Sequence, residues 1–120
     1  MQIKLARIMV DDQEKALRFY TNVLGFAKKT DITMGKFRWL TVSSPEGAEG
    51  VELVLEPMNF PPAKVYQKAL FDAGVLATAF FTSDIHSEYA RLKTKGVVFR
   101  ANRPTWEPSR QWYSRTRAEI

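Results

Sequence analysis

Apolar and polar positions alternate from residue 3 to residue 10, with Ala6, Ile8 and Val10 on one face and Leu5, Arg7 and Met9 on the other, which is the period of a β-strand. The period then changes. Ala16, Leu17, Tyr20, Val23 and Leu24 recur at helical spacing behind Asp11 and Glu14, a pair that resembles a capping box, and Gly25 ends the run. Strand patterns follow at about residues 26 to 32, 37 to 43 and 50 to 57, joined by turns at Thr33-Met34-Gly35 and Ser44-Pro45-Glu46-Gly47. Residues 1–58 thus read as one βαβββ module. Phe60-Pro61-Pro62 opens a connector over 59–74, with a short helix from about Ala63 to Asp72 that Gly74 ends. A second module is predicted from residue 75: a strand over 75–82, a helix from Asp84 to Lys95, and a further strand beginning at Val97 to Arg100. From Asn102 onward Pro104 and Pro108 interrupt the pattern and alternation is weak, so 102–120 is atypical.

The two modules repeat one another. The interval from Asp12 to Asp84 equals that from Leu5 to Ala77, and the helix-ending glycines Gly25 and Gly96 keep it to within one residue. A single unit of this size cannot cover its own sheet, so the pattern predicts a paired-module α+β domain. Asp12 and Asp84 repeat because each starts a helix, which is a sufficient reason for both.

Composition narrows the function. A chain of 120 residues with 45% hydrophobic residues suits one domain with a real core. No stretch approaches the roughly 20 apolar residues of a membrane span, and Met1-Gln2-Ile3-Lys4 leads straight into a strand, so we expect a soluble cytoplasmic protein without membrane partners. The absence of cysteine removes disulfides, thiolate catalysis and zinc-thiolate sites. The net charge of +5 does not imply nucleic acid, because Arg103, Arg110, Arg115 and Arg117 crowd the tail while elsewhere both signs are interspersed.

Val10-Asp11-Asp12 with Lys15-Ala16, then Phe19-Tyr20 and Val23-Leu24-Gly25-Phe26, resembles the opening signature of the vicinal oxygen chelate superfamily of glyoxalases, bleomycin-resistance proteins and extradiol dioxygenases. The resemblance covers about residues 3 to 100. It implies two βαβββ modules whose sheets form a cup around a small ligand, commonly in a homodimer, with the second module here altered at its C-terminal end. It also implies a divalent metal held by side chains at matching strand positions of each module. In this chain the positions that usually carry histidine hold Leu5 and Ala77, and only Glu52 stands where the family often places a carboxylate. One carboxylate does not define a metal geometry, so no metal or other cofactor is expected. The sole histidine, His86, reads as a solvated helix residue.

Strand parity places Arg7, Glu52, Val54 and Glu56 with Leu5 on the cup side, and Ala77, Ala79 and Phe81 on the second wall; Arg38 or Trp39 joins them according to which face of its strand turns inward. Arg7, Trp39, Glu52, Glu56 and Phe81 are therefore the candidate ligand-binding residues. Two readings of the charges stay open: ligand contact, or an Arg7–Glu52 ion pair that satisfies buried charge. The function expected is metal-free binding of a small molecule. The alternative is a lyase or dioxygenase using Glu52 or Glu56 with a recruited divalent metal.

The tail departs from the family it resembles, whose closing segment runs Glu-Pro-Thr-Asn-Met-Gly, an apolar strand, then Asp-x-x-Gly-Asn and a last strand. A coding sequence for such a segment, read one nucleotide later, yields residues 102–120 of this chain. A +1 frameshift near codon 102, in the gene or in its recorded sequence, is the reading we carry forward.

Overall fold

The computed structural model describes residues 1–75 and 77–99. These form two compact units, Met1–Ala69 and a second beginning at Leu70, so the boundary falls inside the connector helix.

In the first unit, strands β1 (Leu5–Val10), β2 (Ala27–Met34), β3 (Phe37–Ser43) and β4 (Glu52–Pro57) form a sheet of order β1-β4-β3-β2. β1 runs parallel to β4, and the remaining neighbours are antiparallel. Helix α1 (Gln13–Arg18) packs on β3 and β4. Alternation turns one set of strand side chains toward α1, and there Val10, Leu40, Val42 and Leu55 form a buried core with Ala16 and Tyr20. The expected βαβββ order of the first module is the observed one.

Asp12 caps α1, as its repeat with Asp84 led us to expect, and the capping box expected at Asp11 is not formed. The Asp12 carboxylate accepts the Lys15 backbone N–H at 2.9 Å, and Asp84 accepts the Ser87 N–H at 3.0 Å in the same way. Only an extended residue immediately before the helix aims its carboxylate at the third helical N–H, and both aspartates have that backbone. Beyond α1 the chain widens into a π-helical turn over Phe19–Val23, where the Leu24 N–H bonds the Phe19 carbonyl at 3.1 Å. Gly25, at φ +80°, then ends the turn.

One contact fastens the helix to the sheet. The Gln13 amide nitrogen donates to the Arg38 and Leu55 carbonyls at 2.7 and 2.9 Å, and its oxygen accepts the Arg38 N–H at 3.0 Å. β3 and β4 are paired at Thr41–Val54 and Val42–Leu53, and Gln13 supplies partners where that pairing has ended.

Helix α2 (Pro61–Asp72) is the connector; it starts at the prolines, and its Gln67 side chain donates to the Met9 carbonyl at 2.8 Å. The second unit contains α3 (Ile85–Thr94), closed at Gly96 (φ +85°), with the Val97 N–H on the Leu92 carbonyl at 3.0 Å. The strand expected over 75–82 is absent among the described residues, and 77–82 is irregular. A strand exists only with a neighbour to complete its ladder, and alternation in the tail sequence from Asn102 is weak. That tail, with the frameshift reading attached to it, lies outside the described residues. No helix among the described residues is long and apolar enough to cross a membrane.

Candidate functional site

Residues directly opposite one another in a ladder point to the same side of the sheet. On the side away from α1, Leu5 stands opposite Glu52, Arg7 opposite Val54 and Met9 opposite Glu56. Thr41 stands opposite both Val54 and Thr30, and Trp39 opposite Ile32. Arg7, Trp39, Glu52 and Glu56 thus share one face. Arg38 belongs to the other, where its guanidinium bonds Glu14 at 3.0 Å and lies 3.4 Å from Asp31. The face question that parity left open is settled in favour of Trp39.

The acidic residues have different partners. Glu52 Oε1 accepts the Thr41 hydroxyl at 2.7 Å and the Thr30 hydroxyl at 3.3 Å. The Thr41 oxygen itself accepts the Thr30 backbone N–H at 3.1 Å, and Thr41 is fully buried. Arg7 lies 3.9 Å from Glu56, so the ion pair expected between Arg7 and Glu52 is instead made with Glu56. Opposite Val54, Arg7 is diagonal to both carboxylates, and the one not already held by hydroxyls takes it. That pair is loose and largely solvated, and contributes little.

The centre of this face is covered, with Val54 buried beside Thr41, and its margins are apolar and exposed. Leu5, Ile32 and Met34 are 40%, 56% and 62% exposed, and Phe37 and Trp39 are half-buried. Beside Glu52, a cavity of about 240 Å³ is bordered by Lys29, Ser43 and the loop from Ser44 to Val51. Its size suits a ligand's head group rather than a whole drug-sized molecule.

Across from Glu52, β1 offers no second side-chain donor to a divalent cation. Leu5, which has no lone pair, is the residue directly across from Glu52, and Glu52 Oε1 is occupied by two hydroxyls. Among the described residues no three His, Cys, Asp or Glu side chains are grouped as metal ligands. His86 is exposed on α3. Ala77 and Phe81 belong to the irregular stretch of the second unit, where both are exposed; neither is part of the sheet that carries the other candidates.

Sequence reasoning missed Thr30 and Thr41. Thr41 has the parity of Trp39, a signal that was available. Thr30 reaches Glu52 only because the register of β2 shifts between Lys28 and Thr30, and nothing in the alternation marks that shift.

The model for the Glyoxalase/Bleomycin resistance protein/Dioxygenase superfamily matches residues 2–114. The uncharacterized protein YurT of Bacillus subtilis (strain 168) is 52% identical over 92% of this chain and 83% of its own length. Among solved structures, UcmS2 superposes with a TM-score of 0.74 at 32% identity, over 91% of this chain and 84% of that one. TnmS3, described as an antibiotic binding protein from Streptomyces sp. CB03234, gives a TM-score of 0.65 at 32% identity, over 90% and 79%.

Proposed function

The chain belongs to the Glyoxalase/Bleomycin resistance protein/Dioxygenase superfamily, and from that premise we propose that it is a metal-free binding protein that holds a small amphipathic molecule on the open face of the sheet and performs no reaction on it. The observation that carries this reading is the pairing of Leu5 with Glu52: hydrocarbon stands across from the carboxylate, where a metal site would need a second donor. Exposed Leu5, Ile32 and Met34 with half-buried Trp39 supply an apolar bed, and Glu52, Glu56 and Arg7 supply polar contacts at its margin. The likeness to TnmS3 supports the same choice. In this reading the protein is a cytoplasmic homodimer; a monomeric mass by light scattering at micromolar concentration counts against the dimer.

Titration with 1-naphthylmethanol, an uncharged amphipathic probe, tests the site. We expect saturable binding that raises the melting temperature and is lost in Trp39→Ala. Binding that Trp39→Ala leaves unchanged would remove the open face from the account.

A further inference from the structure

We propose that Glu52 is the anionic anchor for a cationic group, a protonated amine or a guanidinium, carried by the ligand of the open face. This deepens the function proposed above and rests on it.

The argument starts from proton bookkeeping around one oxygen. The Thr41 hydroxyl has a single proton, and its oxygen already accepts the Thr30 N–H, so the proton goes to Glu52 Oε1. The Thr30 hydroxyl donates to the same oxygen. Glu52 is therefore oriented as a pure acceptor by a hydroxyl that is itself immobile, because Thr41 is fully buried in β3. Among the described residues Oε2 has no hydrogen-bond or ion-pair partner, and Glu52 is only half-buried, so this oxygen remains for a donor from outside.

The charges of this face point the same way. Against a net charge of +5 for the chain, the described residues of the open face's strands carry Glu52 and Glu56 with Arg7 between them, and Arg7 is drawn to Glu56. Glu52 has no ion-pair partner among the described residues. Lys29 borders the same cavity but makes no ion pair among the described residues, and Lys4 donates to the Glu49 carbonyl at 3.3 Å. A cationic head fits the cavity beside Glu52, and an apolar body extends over Leu5, Ile32 and Trp39. Charge-assisted hydrogen bonds are about twice as strong as neutral ones, which sets the expected preference for a cation over its neutral isostere at about tenfold.

The test compares 1-naphthylmethylamine, protonated at neutral pH, with 1-naphthylmethanol by calorimetric titration of the full chain. We expect the amine to bind about tenfold more tightly, the preference to fall with added salt, and Glu52→Gln to reduce the ratio of the two affinities to near unity. A cooperative thermal melt of the variant certifies that it is folded. Lys29→Met should keep the preference or enlarge it. Equal binding of the two probes by the native chain, or a preference that survives in Glu52→Gln, overturns the anchor and leaves the proposed function standing. Failure of both probes to bind the native chain overturns both.

Discussion

Glu52 is held by Thr41 and Thr30, and the three residues act as one unit. Removing the Thr41 hydroxyl leaves Glu52 without its shorter hydrogen bond and the Thr30 N–H without an acceptor, so Thr41→Val should lower stability by about 1–3 kcal/mol in urea unfolding despite its near-identical shape. Tyr20 offers a second test. Burial pushes its phenol up to about 12 from the usual 10.0. The unfolded chain then releases this proton first, so the associated stability is complete below pH 10 and is lost as pH rises through about 12, a change of about 2–3 kcal/mol. Unfolding across that window should show the loss in the native chain, and Tyr20→Phe should be flatter. Arg7, Trp39, Glu52 and Glu56 were legible because a strand's period of two sorts side chains without any knowledge of the partner strand. The partners were not legible. The register sets Arg7 diagonal to both Glu52 and Glu56, and the Thr41 and Thr30 hydroxyls on Glu52 leave Glu56 for it.

Helix starts and stops were read from local chemistry, and they held where the chemistry is local. Asp12 and Asp84 cap their helices alike, and Gly25 and Gly96 end theirs at positive φ. Gly96→Ala should cost about 1 kcal/mol, measured by thermal unfolding, because alanine resists the left-handed backbone that the α3 terminus requires. Gln13 carries more. Its amide serves three backbone groups at the edge of the β3–β4 pairing, so Gln13→Ala should lower stability by about 2–4 kcal/mol, more than any exposed substitution on α1. No pattern of polar and apolar residues marks such a clasp. The strand expected over 75–82 failed for the converse reason: its sequence alternates, but a strand is made by its neighbour, and that information lies elsewhere in the chain.

Taken together, the fold class followed from a duplicated pattern, and family membership confirms it. The family match runs to residue 114, so the shift expected near Asn102 is a proposal, and sequencing the DNA across codon 102 decides whether a shifted frame wrote the tail. If it did, the in-frame chain should melt well above the present one, since two apolar strands contribute about 1.5–3 kcal/mol for each large side chain they bury. The account as a whole turns on a simpler point, that hydrocarbon faces Glu52 where a metal would need a donor. The most direct test is the metal content of protein purified without a histidine tag and given no chelator. We predict manganese, iron, nickel, copper and zinc all far below one ion per chain; a stoichiometric metal that Glu52→Gln releases would contradict the account.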